Sequence, residues 1–251
     1  MSEPRRVTIV GSYLSPYVRK ALAVLLWKGL AYEIDPIVPF LGNDAFTALS
    51  PLRRIPVLID GDVALCDSSV ICQYLEDRYP EPAVYPRDVA DRARARWLEE
   101  FADTRMGDVL IWRLFDQVVI GPNVWGQPTD EAVLRKTLEV DVPDVLDYLE
   151  RQAPAEGFAF GAPSIADVAV AAFFRNAHWA RFRIDPARWP RAAAWVERTL
   201  DLPEFQALRA YEDLSIRTPI PQHRAALAEA GAPLTADTYL TDTPRRGILR
   251  T

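Results

Sequence analysis

The chain contains few residues of the two types that most often build metal and redox sites, with two cysteines and two histidines among 251 residues. The spacing of Cys66 and Cys72 matches neither a zinc site nor a Cys-x-x-Cys motif, and a single pair is no disulfide framework. His178 and His223 lie far from both cysteines in the sequence. A metal cluster or a Ser-His-Asp triad is therefore not expected, and a serine in this chain would lack a histidine base.

The sequence also lacks a long apolar run. No segment approaches the roughly 18 apolar residues of a membrane span, and the apolar run after the charged N-terminus is too short for a signal peptide. The net charge of −6 gives no general attraction to nucleic acid or to anionic membranes. With 49% hydrophobic and 25% charged residues, the composition is typical of a soluble globular protein, and we expect a cytoplasmic location.

Strand and helix patterns alternate over the first eighty residues. The predicted order is β-α-β-(α)-β-β-α, with strands near residues 7–10, 31–37, 55–59 and 63–65, helices at residues 16–29 and from Ser68 onward, and a weak helix signal at residues 43–50. Gly29 is typical of a helix C-terminus, and Asp60-Gly61 is typical of a two-residue hairpin turn. Ser68 is predicted to cap the last of these helices.

Only helical patterns follow residue 88. Loops are predicted at residues 121–123 and 126–128, and a capping-box-like Ser164-x-x-Asp167 precedes a helix that is apolar on nearly every face. Past Leu214 the helical pattern weakens. We therefore predict one domain at residues 1–82, an all-helical bundle domain at residues 88–214, and a C-terminal extension at residues 215–251.

The turn between the first strand and the first helix carries the strongest chemical signal. Ser15 is a good helix N-cap, and Pro16 is suited to the first helical position, where its missing N–H is not needed. A serine hydroxyl would thus stand beside free backbone N–H groups and the positive end of a helix dipole. Such a place favours an anion or a thiolate, although a simple N-cap role for Ser15 explains the same pattern.

Four features together resemble the cytosolic glutathione S-transferases of the serine type, as found in bacteria. They are Ser15-Pro16-Tyr17-Val18-Arg19-Lys20, Ile55-Pro56, Asp67-Ser68 and Ser164-x-x-Asp167. The resemblance covers about residues 7–211. It implies a thioredoxin-like α/β N-terminal domain with a mixed four-stranded sheet, an all-α C-terminal domain, a homodimer, and glutathione as co-substrate without a metal.

The resemblance also implies how glutathione is held. Ile55, before a cis Pro56, would pair its backbone with the cysteinyl part of the tripeptide. Asp67 would pair the ligand's ammonium, while Ser68 and its helix N-terminus would receive the γ-glutamyl carboxylate. Arg53-Arg54 replaces the family's commoner glycine-plus-polar pair. Arg54 is a candidate for the glycyl carboxylate, and the alternative is that Arg53 and Arg54 are both plain surface charges.

Ser15 is the predicted donor to the glutathione thiolate, with Tyr13 and Ser12 as alternatives. The expected activity is glutathione conjugation or a related lyase, dehalogenase or isomerase reaction on a small hydrophobic electrophile. The predicted electrophile pocket lies between the domains and is lined by Tyr13, Trp97, Phe101, Met106, Trp112 and Phe115. The alternative function is a non-catalytic binding or scaffold protein of the same fold. A thiol-transferase mechanism is disfavoured, because the turn contains no cysteine.

Overall fold

A computed structural model describes residues 6–246 of the chain, and these residues form two compact units. The first unit combines residues 6–83 with residues 203–246, and the second runs from residue 84 to residue 202. The predicted ranges 88–214 and 215–251 divide the chain differently, since they separate residues 203–214 from the first unit. The five positions at each terminus, which the predicted ranges 1–82 and 215–251 include, lie outside the described residues.

Within the described part of the chain, four strands form the sheet of the first unit. They are β1 (Val7–Val10), β2 (Tyr32–Asp35), β3 (Val57–Asp60) and β4 (Val63–Cys66). The order in the sheet is β2-β1-β3-β4, with β1 parallel to β2 and antiparallel to β3, and β4 antiparallel to β3. The predicted fold class, a thioredoxin-like mixed sheet followed by a helical domain, is confirmed.

Three helices accompany these strands in residues 6–83. They are α1 (Pro16–Trp27), α2 (Asp44–Leu49) and α3 (Ser68–Arg78). Apolar side chains recur along α1 at helical spacing, and Val18, Leu22 and Leu25 are fully buried. The helix ends as predicted, because Gly29 follows it with a φ of +65°, a conformation that glycine adopts without steric cost.

Two local predictions in this unit were wrong. The residue that caps α3 is Asp67 rather than Ser68, since the Asp67 side chain accepts hydrogen bonds from the backbone of the first helical turn. The two-residue hairpin loop is Gly61-Asp62 rather than Asp60-Gly61, because Asp60 remains paired with Val63. The Asp60 carboxylate also accepts a hydrogen bond from Tyr74 at 2.8 Å. Asp60 is thus held both by its pairing with Val63 in the sheet and by a hydrogen bond from α3.

The second unit is helical throughout its length except for short connections. Its helices are α4 (Val89–Phe101), which continues in wide π-type turns over Ala102–Trp125, then α5 (Glu131–Lys136), a π-type turn at Thr137–Asp141, α6 (Val142–Gln152), α7 (Ile165–Trp179) and α8 (Pro190–Leu200). As predicted, α7 is buried on nearly every face and begins with the Ser164–Asp167 capping box. It packs against α4 and α8, which places it in the core of this unit.

The loop predicted at residues 121–123 was wrong, because the helical segment extends to Trp125. Pro122 cannot donate a hydrogen bond to the preceding turn. The Gln117 carbonyl, five residues before Pro122, instead accepts from the Thr129 hydroxyl at 2.9 Å. This side-chain substitute satisfies a carbonyl that the proline leaves open, and the chain leaves the helix only at Gly126, which has a φ of +62°.

The chain returns to the first unit at α9 (Pro203–Arg217) and α10 (His223–Glu229). Helix α9 packs against α1 and α10. The segment beyond α10 then follows the outer edge of β2, where Leu234 forms a parallel bridge with Ile34. The described part of the predicted C-terminal extension thus contains a helix and covers a sheet edge. Among residues 6–246, no helix is long and apolar enough to cross a membrane.

Candidate active site

Three of the predicted motifs lie at one end of the sheet. In the ladder, Val10 pairs with Val57, and Val57 pairs with Cys66. These three residues therefore form one row across β1, β3 and β4. The turn at residues 11–15 follows the first member of the row, Ile55-Pro56 precedes the second, and Asp67-Ser68 follows the third. Strand register thus brings together segments as distant in sequence as Ser15 and Asp67.

The turn before α1 presents Ser15 at the start of the helix. The Ser12 carbonyl accepts a hydrogen bond from the Ser15 backbone N–H at 3.0 Å, which closes the turn. The Ser15 Oγ accepts from the Val18 backbone N–H at 3.4 Å, so Ser15 is the N-cap of α1 as predicted. Its side chain is half-buried. Because the capping bond uses the oxygen as acceptor, the Ser15 hydroxyl proton is available for a second partner.

The two alternative donors point to partners within the protein. Tyr13 is only 1% exposed, and its hydroxyl lies 3.4 Å from the Tyr32 hydroxyl. Burial, reinforced by Tyr32, raises the pKa of Tyr13 well above the ordinary value of a tyrosine. Ser12 is 2% exposed, and its Oγ accepts from the Leu14 backbone N–H at 3.2 Å. Of the three candidates, Ser15 is the one with an accessible side chain.

Ile55 and Pro56 place an open stretch of backbone beside this turn. The peptide bond between them is cis. Within residues 6–246, the Ile55 backbone forms no hydrogen bond with another residue. Gly11 approaches the same segment closely, since a Cβ on Gly11 would lie 3.2 Å from the Ile55 Cβ and 2.5 Å from Val18 Cγ2. A backbone with free N–H and C=O groups can pair with an extended peptide ligand.

Asp67 and Ser68 form the third part of the site. Asp67 Oδ1 accepts from the backbone N–H groups of Ser69 at 2.9 Å and Val70 at 3.2 Å, while the residue itself is exposed. Its φ of +77° is rare for a non-glycine residue and costs on the order of 1–3 kcal/mol, and such conformations cluster at functional sites. Ser68 is 3% exposed at the first position of α3.

Lys20 is a residue near this site to which the sequence analysis gave no role. It is 1% exposed, and its Nζ donates to the Ser69 Oγ at 3.0 Å. The contact joins the second turn of α1 to the first turn of α3, and it brings a positive charge next to the Asp67-Ser68 turn. The sequence feature that could have pointed to Lys20 is its position beside Arg19 in an otherwise apolar stretch of helix.

The two arginines before Ile55 have different surroundings. Arg53, which has a φ of +52°, is 8% exposed and donates to Thr47 Oγ1, to the Pro39 carbonyl at 3.2 Å and to the Gly42 carbonyl at 2.8 Å. It therefore holds the loop before α2 and is not the surface charge that the sequence suggested. Arg54 is exposed, so its guanidinium can reach a ligand.

Cys66 is the cysteine that lies in the row at this end of the sheet. Its Sγ donates to the Leu49 carbonyl at 3.1 Å, and burial raises the pKa of the thiol. A cysteine in this environment stays protonated and is a weak nucleophile. Within the described residues, no group of three or more histidine, cysteine, aspartate or glutamate side chains is placed to hold a metal ion.

The six predicted pocket residues are divided between the two units. Tyr13 belongs to the first, and the other five belong to the second. There Met106 and Phe115 are core residues at 0% and 4% exposure, whereas Trp97 is 56% exposed and donates its indole N–H to the Tyr148 hydroxyl at 2.7 Å. Phe101 packs against the Tyr148 ring with 4.2 Å between the centroids. Trp112 is half-buried.

Family models match both parts of the chain. The model described as the N-terminal domain of glutathione S-transferase matches residues 9–83, and the model described as the C-terminal domain matches residues 131–198.

Individual proteins agree with these models. A glutathione S-transferase of Triticum aestivum is 26% identical over 209 residues, which cover 79% of this chain and 91% of that protein. The uncharacterized GST-like protein YibF of Escherichia coli (strain K12) is 36% identical over 105 residues, or 41% of this chain and 52% of YibF. A crystal structure of a glutathione S-transferase from Rhodospirillum rubrum F11 has 25% identity and a TM-score of 0.73, covering 80% of this chain and 91% of that one. The chain spans about half or less of the length of the first curated relatives it matches.

Proposed function

Because the chain belongs to the glutathione S-transferase family, we propose that it activates the thiol of glutathione for attack on a small hydrophobic electrophile. One observation carries the proposal. The Val10–Val57–Cys66 row brings the Ser15 turn, the open Ile55 backbone and the Asp67-Ser68 turn to one end of the sheet. The Ser15 turn supplies a hydroxyl donor, and the Ile55 backbone supplies N–H and C=O groups that can pair with a peptide. The Asp67-Ser68 turn supplies a carboxylate beside a helix N-terminus.

Each part of glutathione has a complementary group in this arrangement. The exposed Asp67 carboxylate suits the γ-glutamyl ammonium, and Ser68 with the N-terminus of α3 suits the adjacent carboxylate. The Ile55 backbone suits the cysteinyl peptide unit, because both are extended chains with free N–H and C=O groups. Arg54 is the group proposed for the glycyl carboxylate.

Ser15 is the proposed donor to the thiol sulfur. A free thiol with a pKa near 8.5 is only a few per cent ionised at pH 7. A hydrogen bond from the Ser15 hydroxyl to the thiolate contributes roughly 1.5–3 kcal/mol, which lowers the thiol pKa by about one to two units, and the α1 dipole adds to this. The thiol proton leaves to solvent, and the thiolate sulfur forms a bond to the electrophilic carbon. In a substitution, the bond from that carbon to its leaving group breaks and the group departs with the electron pair; in an addition, the π bond of an activated double bond breaks and solvent protonates the resulting carbanion.

The proposal includes three further points. Trp97, Phe101 and Trp112, the predicted pocket residues of the second unit that are not core residues, contribute to the electrophile site. The protein acts in the cytoplasm, as the composition suggests, and it forms a homodimer, as the resemblance implies. Light scattering after gel filtration measures the oligomeric state.

Glutathione titration of the protein tests the central proposal. We expect millimolar glutathione to raise the Tm, and the ultraviolet absorbance of the bound thiolate to titrate about one to two pH units below the free thiol. Ser15→Ala should raise that thiol pKa by at least one unit and lower kcat/KM by about 10- to 100-fold.

Two matched variants separate Ser15 from its alternatives. Tyr13→Phe and Ser12→Ala each remove one hydroxyl from the same turn, and we expect the thiol pKa of bound glutathione to stay at the wild-type value. A thiol pKa that responds to either of them and not to Ser15→Ala would reassign the donor. Stabilisation by glutathione without any thiolate absorbance would favour the non-catalytic binding protein.

A further inference from the structure

A buried guanidinium connects the Ser15 turn to a helix that lies almost two hundred residues later in the chain. The Arg19 side chain in the first turn of α1 is 0% exposed. Its Nε donates to Glu212 Oε1 on α9, and its Nη2 donates to the Tyr13 carbonyl at 3.3 Å. The planar fork of an arginine can serve both acceptors at once, which the single ammonium of a lysine does less well.

The residue beside Glu212 contacts the same turn from another direction. The Tyr211 ring packs against the Tyr13 ring with 5.2 Å between the centroids. Two consecutive residues of α9 thus hold Tyr13. Tyr211 contacts the Tyr13 ring directly, and Glu212 binds Arg19, which donates to the Tyr13 carbonyl. Because Tyr13 lies inside the turn that Ser12 and Ser15 close, these contacts fix the backbone that presents the Ser15 hydroxyl.

Stability alone does not account for a charged pair at this place. Glu212 is 2% exposed and its partner is fully buried, so both charges are removed from water. A buried ion pair often contributes no more stability than apolar residues of the same volume, and the best-supported use of such pairs is to select one arrangement. Here the arrangement selected is the orientation of Tyr13 and of the turn behind Ser15.

We infer that Arg19 and Glu212 are positioning residues, which hold the Ser15 turn in the geometry that donates to the glutathione sulfur. This inference rests on the proposed function. It extends the functional machinery of the N-terminal α/β unit to α9, in a part of the chain that the sequence analysis assigned to the helical domain. Neither residue is expected to touch glutathione.

Two substitutions probe the contact from its two ends. Arg19→Lys keeps a positive charge for Glu212 but loses the fork that reaches the Tyr13 carbonyl. Glu212→Gln keeps a hydrogen-bond acceptor and removes the charge. Both should lower kcat/KM about 10- to 100-fold, mainly through kcat, and raise the pKa of the bound glutathione thiol by about one unit. If Glu212→Gln does not fold, Glu212→Asp, which keeps the charge on a shorter side chain, replaces it.

A second ion pair, partly buried and located at the other end of α1, provides the control. Lys28 follows α1 at the end opposite Ser15, and its Nζ lies 2.8 Å from Glu76 Oε2 on α3. It also donates to the Tyr79 carbonyl at 2.6 Å, just as Arg19 donates to a second acceptor. Glu76→Gln should lower the Tm while leaving the bound thiol pKa and kcat/KM at the wild-type values.

The measurements use variants shown to be folded by circular dichroism at the assay temperature. The inference is supported if the variants of Arg19 and Glu212 shift the bound thiol pKa and Glu76→Gln does not. It is overturned if Ser15→Ala shifts the thiol pKa while the Arg19 and Glu212 variants behave like Glu76→Gln. A wild-type protein without thiolate absorbance would instead contradict the proposed function itself, so the two failures are distinguishable.

Discussion

The Tyr239 backbone N–H donates to the Asp35 carboxylate at 2.7 Å, across 204 positions of the chain. Asp35 ends β2, is 1% exposed, and also accepts from the Thr238 hydroxyl at 2.8 Å and from Arg224 at 3.1 Å. These bonds fasten the C-terminal segment to the edge strand of the sheet. The segment thereby covers backbone groups that an exposed edge would offer to another chain.

Asp35→Asn should lower the free energy of unfolding by about 1–3 kcal/mol, because the amide replaces one acceptor oxygen of a buried side chain by a donor that faces several partly buried donors. Urea unfolding measures the change. Asp242→Asn is the control, since Asp242 is exposed and accepts from the neighbouring Thr243 hydroxyl. An Asp35→Asn variant as stable as Asp242→Asn would contradict a structural role for the bonds between Asp35 and the C-terminal segment.

Asp167 is the buried polar centre of the helical unit. Its carboxylate accepts from the Ala159 N–H at 2.9 Å, from the Ser164 N–H and hydroxyl at 2.8 Å each, and from the Trp195 indole at 2.6 Å. Asp167→Ala should cost about 3–5 kcal/mol, since it leaves several buried donors without an acceptor. Calorimetry and urea unfolding measure the loss.

An exposed cap provides the comparison for Asp167. Asp130 accepts from two backbone N–H groups at the start of α5 and faces solvent, so Asp130→Ala should cost about 1 kcal/mol. Equal losses for Asp130→Ala and Asp167→Ala would mean that burial of the Asp167 network contributes nothing beyond ordinary capping.

Arg53 and Arg54 are adjacent, but replacing them by alanine should affect different properties: Arg53→Ala should lower stability, and Arg54→Ala should weaken glutathione binding. Arg53→Ala removes hydrogen bonds to the loop before α2 and the contact over the Phe46 ring, 5.7 Å from its centroid. It should cost about 2–3 kcal/mol of stability. Arg54→Ala should change stability by less than about 0.5 kcal/mol and weaken glutathione binding about 3- to 10-fold. Urea unfolding and calorimetric titration measure the two quantities. Loss of stability in Arg54→Ala would contradict this division of roles.

His223 should make stability depend on pH. It is 3% exposed, its Nε2 lies 2.8 Å from the Thr218 carbonyl, and burial lowers its pKa. The unfolded chain, with a histidine pKa of about 6.5, therefore takes up the proton first, and the free energy of unfolding falls as pH drops below about 6.5. His223→Gln keeps a donor for the carbonyl and should flatten this fall. Parallel stability curves for wild type and variant between about pH 7 and about pH 5 would exclude the effect.

Much of the site was predictable because its signals are local. A serine and a proline in sequence are enough to predict the cap of α1, and Ser15 does cap it. The strand at residues 7–10 follows from its β-branched composition, and the capping box of α7 from the spacing of Ser164 and Asp167. The resemblance then linked the turns that strand register brings to one end of the sheet.

Other features depend on contacts between distant segments. Nothing near Arg53 in the sequence distinguishes it from Arg54, yet the loop carbonyls at residues 39 and 42 bury one and leave the other exposed. The N-cap preference of serine likewise predicted Ser68 as the cap of α3, whereas the backbone at Asp67 takes a φ of +77° and the Asp67 side chain caps the helix.

The sequence by itself determined the order of strands and helices, the serine at the start of α1 and the family. Hydrophobic periodicity and capping act within one or two turns of chain, so they can be read locally. Only the tertiary structure decided that Tyr13 is buried against Tyr32, that Glu212 reaches Arg19, and that the C-terminal segment closes the edge of β2. Each of these three contacts depends on which segments pack together in the fold. A buried charge or hydroxyl pairs with a group of the segment that packs against it, and that segment can be distant in sequence.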